Sequence, residues 1–404
     1  MSRPVRTLVY TTLYPSSARP VHGIFVETRL RELLSTGQVQ TRVVAPVPWF
    51  PSTAPRFGEY ATFARTPRRD RRNGIDVVYP RYPLIPRYGM TSAPLLMALT
   101  TLPAIRRIRA EGFDFDVIDA HYYYPDGVAA ALLSRLLDRP LTITARGTDL
   151  NLIPQHAVPR RLIQWAAGRA DASIGVCAAL MDVLREYGIP NEKLHVMRNG
   201  VDLVRFAPQP QGLAREQLRI GLGPVLLLVG HLIERKGHHL VIEALAQVRR
   251  HYADARLYVI GEGPERPRLQ SLVSDLGLGD AVQLLGQIPN VELARWYSAA
   301  DMLVLASSRE GWANVLLEAM ACGAPVVATD IWGTPEVVTS PVAGSLVRQR
   351  SGEAFALAIL GRLAMESDRA AVRRYAEGFG WAATSQAQLD LFRLLSAQTL
   401  GASP

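Results

Sequence analysis

The chain has 404 residues, 48% of them hydrophobic, with 45 Lys and Arg against 36 Asp and Glu, a net charge of +9. That length suits two domains of roughly 150–200 residues rather than one core, and the apolar content excludes a disordered or collagen-like chain. A basic surface favours anionic partners such as phosphorylated metabolites, an acidic membrane or nucleic acid.

The first stretch, MSRPVRTLVYTTLYP, has too short an apolar run for a signal peptide. No segment approaches the ~20 apolar residues that span a bilayer. A cytoplasmic location is expected, with any membrane contact peripheral. Residues 6–12 predict a buried strand, residues 24–33 a helix and residues 41–46 a second strand. The alternation then breaks. Pro46 to Pro94 is rich in proline, aromatics and arginine ("PVPWFP", "RTPRRDRR") and reads as a long loop inserted into the domain. Strands resume at 116–119, 141–144 and 172–176. Cys177 and Cys322 sit in apolar contexts outside any C-x-x-C pattern, as reduced core thiols do.

Pro208, Pro210 and Gly212 punctuate the chain, and the grammar starts again. Strands are predicted over 224–230, 256–261, 281–286, 301–307 and 325–330, with helices over 238–250, 265–277, 290–300 and 314–323 between them. Nearly continuous apolar strands alternating with helices predict α/β architecture: two doubly wound parallel sheets, covered on both faces. The expected domains are 1–205 and 206–375, facing each other across a cleft. Residues 376–404 carry a helix returning to the first domain.

Ligands of doubly wound sheets bind at the carboxyl ends of the strands. Gly230 and His231 end one such strand, and Arg235 and Lys236 follow just before a helix. Helix starts carry partial positive charge and free N–H groups, so the pair reads as a pyrophosphate clamp; a solvated basic turn is the plain alternative. Gly261 and Gly263 in "VIGEGPER" mark a tight strand-to-helix turn that lets a ligand approach the backbone. Glu310 precedes a predicted helix and Glu318 lies inside it among apolar residues. A carboxylate there needs partners. The paired hydroxyls of a sugar or ribose supply them, as would a salt bridge. In the first half, His22 and Gly23 lie between strand and helix, His121 follows a strand, and Arg146, Thr148 and Asp149 follow the next. His22, His121, Arg146 and Asp149 are candidate sugar or acceptor contacts.

Taken together, "RNGVD", "VGHLIERKGHHLVIEAL", "IGEGPER", "SAADMLVLASSREGWANVLLEAMACGAPVVATD" and "GTPEVV" resemble the retaining glycosyltransferases of family 4, which have the GT-B fold. The resemblance implies a nucleotide-sugar donor, with Glu310 on the sugar and Glu318 on the ribose. Arg235 and Lys236 would hold the diphosphate and Gly23 would border it, while His121 would face the transferred sugar. The backbone of Gly311, Trp312, Ala313, Asn314 and Val315 would add N–H donors. Two positions depart from the family pattern: His231 stands where Arg is usual, and Arg146-Gly147 where relatives often carry His-Gly. Arg146 thereby suggests an anionic donor or acceptor. No D-x-D pair stands at a strand end, so neither a metal nor any other cofactor is expected. A glycan or lipid-linked acceptor is expected, with no nucleic acid. Trp49, Phe50 and Phe57 beside Arg65, Arg68, Arg69, Arg71 and Arg72, together with Arg106, Arg107 and Arg109, suggest an anionic membrane surface. The rival readings are a phosphorylase or epimerase of the same fold, or a non-catalytic nucleotide-sugar-binding or membrane-associated scaffold.

Overall fold

The computed structural model describes residues 3–84 and 89–401. Residues 85–88 of the Pro46–Pro94 segment and the ends of the chain lie outside the described residues. Two compact units emerge, one of residues 1–198 with 382–404 and the other of residues 199–381.

The first unit is built on an eight-stranded sheet. Its order is Leu194–Val196, Ala172–Gly175, Leu141–Ala145, Val117–His121, Val5–Tyr10, Val39–Val44, Ile75–Val78 and Arg69–Arg72. All neighbours pair parallel except the last two. Strands Val117–His121 and Leu141–Ala145 are buried along their whole length, so their polar side chains, Asp119, His121 and Thr142 among them, need partners inside the fold. The strand order reverses direction between Val5–Tyr10 and Val117–His121, so the loops leaving those two strands open a crevice at their carboxyl ends.

The inserted segment is not the structureless loop its composition suggests. It holds helix Glu59–Arg65, short strands Val47–Pro48 and Arg81–Tyr82 paired with each other, and a hairpin whose second arm joins the main sheet. Asn73 (φ 49°) and Gly74 (φ 81°) make the hairpin turn. Both central residues at positive φ are what a two-residue turn of this twist needs, and Asn-Gly is the sequence that favours it. Arginines thereby become ladder residues with partners: Arg72 pairs with the buried Glu27 at 3.1 Å, and Arg69 with Glu111 at 3.2 Å. Arg107 pairs with Glu111 at 3.0 Å and Arg109 with Asp114 at 2.8 Å. Much of the expected basic patch is therefore neutralised internally.

Helix Trp381–Gly401 closes this unit from residue 382 onward. Leu389, Leu391, Phe392 and Leu395 pack into a core with Val5, Val117 and Ile174, so the apolar stripe of the last helix buries against the first sheet.

The second unit carries a six-stranded, all-parallel sheet in the order Val282–Gly286, Arg256–Ile260, Val225–Val229, Met302–Leu305, Val326–Thr329, Gly344–Val347. Its order reverses between Val225–Val229 and Met302–Leu305. The loops following those strands are 230–237 and 306–313, the two stretches singled out from sequence.

Candidate active site

In the second unit the two loops are tied together. Ser308 N donates to Arg235 O at 2.8 Å, and Gly237 at φ 68° lies so close to Ala306 that a β-carbon would stand 2.1 Å from its carbonyl oxygen. Only glycine fits there. This packing brings Glu310 to the cations. Lys236 Nζ donates to Glu310 Oε1 at 2.5 Å, Ser307 Oγ donates to the same oxygen at 2.6 Å, and Arg235 Nη1 lies 3.6 Å from it. Arg235 Nη1 also donates to Arg309 O at 2.5 Å. Burial pushes the Glu310 carboxyl up, but Lys236 and Arg235 outweigh it and hold the group below its ordinary value. All the partners of Glu310 crowd one oxygen, and among the described residues Oε2 has no hydrogen-bond partner.

Helix Asn314–Ala321 begins four residues after Glu310, and no side chain caps its start at Ala313. Gly311, Trp312 and Ala313 are buried, with Asn314 and Val315 half-buried beyond them. A helix start without a side-chain cap beside two cations suits an anion. Glu318 lies one turn on and accepts from Tyr297 Oη at 2.9 Å; burial raises its carboxyl to about 7. Tyr297 was not foreseen.

Gly261 and Gly263 have reasons internal to the fold. A β-carbon on Gly261 would meet Gly230 O at 1.9 Å, and one on Gly263 would meet Leu232 O at 2.3 Å. These glycines let two strand-exit loops pack together, with Leu232 N donating to Glu262 O at 2.9 Å, so their demand for glycine arises within the fold. His231 is exposed, and Gly230 follows the end of its strand.

In the first unit Gly23 adopts φ 68°, and a β-carbon would stand 2.2 Å from the Leu13 carbonyl, so its demand for glycine also arises within the fold. His22 Nε2 donates to Thr12 O at 3.1 Å, and its Nδ1 receives Arg19 Nη2 at 2.9 Å. Burial first, then Arg19, lowers this imidazole to about 4, so it is neutral near pH 7.

His121 does not present a free ring edge. Its Nε2 lies 3.2 Å from Asp119 Oδ2 and its Nδ1 receives Arg146 Nη2 at 2.7 Å, a neutral ring bridging a carboxylate and a guanidinium. Burial is the main cause of its lowered pKa. Asp119 in turn accepts from Thr142 Oγ1 at 3.0 Å and from Gln388 Nε2 at 3.3 Å, and Gln388 Oε1 accepts from Arg29 Nε at 2.9 Å. Arg146 stacks over Phe25 at 5.5 Å, with its pKa lowered to about 9 by burial and then Arg29. Asp149 is withdrawn from any ligand: it is fully buried and accepts from the backbone N–H groups of Tyr123, Arg146 and Gly147 at 2.8, 3.0 and 2.7 Å. It shapes the turn rather than contacting an acceptor.

Sequence reasoning missed Asp119, Arg29 and Gln388. Asp119 lay within reach, since it precedes His121 by two on a strand and so shares its face. Gln388 carried one signal, a lone amide beside the apolar residues of the last helix. Tyr122, at φ 84° directly after His121, is a strained non-glycine position of the kind found at functional sites, and sequence gave no sign of it.

Two doubly wound sheets, each opening a crevice where its strand order reverses, are the architecture of the GT-B class. The family models agree: Glycosyl transferases group 1 matches residues 213–379 and Glycosyltransferase Family 4 matches residues 59–205. The chain is 28% identical to the putative teichuronic acid biosynthesis glycosyltransferase TuaC of Bacillus subtilis, covering 88% of each chain. It is 31% identical to the D-inositol 3-phosphate glycosyltransferase of Corynebacterium urealyticum, covering 75% of this chain and 77% of that one. Sucrose-phosphate synthase from Thermosynechococcus elongatus shares the fold at a TM-score of 0.77 and 23% identity, covering 98% of this chain and all of that one. The chain belongs to glycosyltransferase family 4 and is a glycosyltransferase.

Proposed function

We propose that the protein moves a sugar, with retention of anomeric configuration, from a nucleoside-diphosphate-sugar to a glycan or lipid-linked acceptor during synthesis of a cell-surface polysaccharide. The observation that carries this reading is the cluster of Arg235, Lys236 and Glu310 beside the start of helix Asn314–Ala321. When the bond from the anomeric carbon to the diphosphate oxygen breaks, negative charge gathers on the diphosphate. Arg235, Lys236 and the helix N–H groups oppose it without a metal. Glu310 Oε2 accepts from a sugar hydroxyl, and Glu318 accepts from the ribose. The acceptor hydroxyl attacks the anomeric carbon, and its proton passes to the departing diphosphate. Arg146, held by His121, meets the substrate on the first unit. The teichuronic acid relative supports a polysaccharide product.

A cytoplasmic enzyme at the membrane surface fits the same reading. Helix Gly89–Ala110 exposes Met90, Leu95 and Leu99, with Arg106 further along. No helix among the described residues is long and apolar enough to cross a membrane. The test is turnover of a panel of uridine and guanosine diphosphate sugars by purified protein, with EDTA present, and NMR of the product anomer. Retained configuration with EDTA-insensitive turnover supports the proposal; inversion, or no turnover of any donor, overturns it.

A further inference from the structure

Beside the first unit's crevice lies a cavity of about 210 Å³. At about 30 Å³ per water it has the bulk of a single sugar ring. Its walls come from the exits of strands Val5–Tyr10 and Val39–Val44 and from the inserted segment, including Arg19, His22, Glu59, Phe63 and Tyr82. Two features define its chemistry. The first is Arg19, whose Nη2 lies 3.3 Å from Glu59 Oε1 and 2.9 Å from His22 Nδ1, with the guanidinium 5.2 Å from the centre of the Phe63 ring. Glu59 already balances its charge, so the pair offers a donor and an acceptor side by side, matched to neighbouring hydroxyls rather than to an anion. The second is a run of aromatic rings leading outward. Phe63 meets Tyr60 at 6.0 Å, Tyr60 meets Phe50 at 5.2 Å, and Phe50 meets Phe57 at 5.2 Å. Tyr60 is 47% exposed and Phe57 36%. Large aromatic faces left in water beside a cavity are costly unless something covers them, and the C–H faces of sugar rings suit their negative π surfaces.

We propose that this cavity and ridge form an acceptor subsite for a neutral oligosaccharide of at least two units, the terminal ring in the cavity and the next on the aromatic ridge. This deepens the glycosyltransferase reading and rests on it. It also assigns the inserted segment a role in acceptor choice.

The experiment is saturation-transfer NMR on the full chain with nucleoside diphosphate present. The probes are methyl glycosides and two- to four-unit oligosaccharides of glucose, galactose and mannose, alongside oligogalacturonate and anionic phosphatidylglycerol vesicles. A neutral oligosaccharide should bind roughly tenfold more tightly than its monosaccharide, the worth of one aromatic contact. The double variant Phe57→Ser, Tyr60→Ser should erase that gain, and Phe63→Ala should weaken mono- and oligosaccharides alike, with Phe63→Tyr restoring them. Donor hydrolysis and circular dichroism should match wild type in all. Equal affinity for one and several units, no saccharide binding, or affinities unmoved by the variants overturns the subsite. So does tighter binding of oligogalacturonate, or vesicle binding that the Phe57→Ser, Tyr60→Ser variant alone abolishes. Absence of donor turnover in wild type would sink the glycosyltransferase reading itself, a separate result.

Discussion

The two units place their chemistry at the same point of the same kind of sheet, yet they assemble it differently. In the second unit the residues are local: Arg235 and Lys236 on one strand-exit loop, Ser307 and Glu310 on its neighbour, all within 2.5–3.6 Å of one carboxylate oxygen. In the first unit a chain of buried polar groups runs from Arg29 through Gln388 and Asp119 to His121 and Arg146, joining residues hundreds of positions apart. A site built from two adjacent loops can be read as a motif. A site wired through the interior cannot.

The sharpest way to break this contrast is to cut each site at one residue. Lys236→Ala should lower donor turnover by about 100- to 1000-fold, as loss of a group facing a developing negative charge does, while melting shifts little. Steady-state kinetics check it; a loss below tenfold would remove Lys236 from the donor site. Glu310→Gln should lower turnover by roughly 100-fold. Yet it should bind nucleoside diphosphate no more weakly than wild type, because it releases Lys236 and Arg235 from their carboxylate. Weaker binding would mean that Glu310 acts on the nucleotide.

In the first unit the effect should appear in stability and in the imidazole. Gln388→Leu leaves Arg29 and Asp119 each short of a buried partner, at a cost of about 1–3 kcal/mol, measurable by urea denaturation with the m-value unchanged. Nitrogen-15 spectra of the histidines should show His121 in the Nε2–H form in wild type and disturbed in this variant. An undisturbed ring would make Gln388 packing alone.

A smaller effect separates the two carboxylates of the donor site by pH. Glu318 titrates near 7, so nucleoside diphosphate affinity should rise by a few-fold between pH 6 and 8 as it ionises, and Glu318→Gln should flatten the profile. The stability sign is opposite. A carboxyl raised from 4.5 to about 7 on folding keeps the folded protein more protonated than the unfolded chain in that window, so its contribution falls as pH rises through it. Asp126, raised to about 7 by burial, acts in the same direction. A nucleotide affinity independent of pH would assign the ribose to another residue.

What could be read from sequence follows the same division. The strands, helices and Glu310–Glu318 spacing of the second unit were legible because parallel strands are apolar throughout and the site follows their ends. The inserted segment was not, because its apolar signal is weak; the Asn73-Gly74 turn was the one clear cue to its hairpin. Asp149 was misread because a carboxylate after a strand looks the same whether it faces a ligand or caps backbone N–H groups. His121 was placed well along the chain, but its orientation depends on Asp119 and Arg146, which only the fold brings to it.

The central claim is that Arg235 and Lys236, positioned by Glu310, form the seat of the donor diphosphate. Calorimetric titration of wild type, Arg235→Ala and Lys236→Ala with uridine and guanosine diphosphate tests it most directly. One of the two nucleotides should bind wild type and lose at least tenfold in affinity with each variant, about 1.4 kcal/mol. Affinity unchanged in both variants would contradict the account.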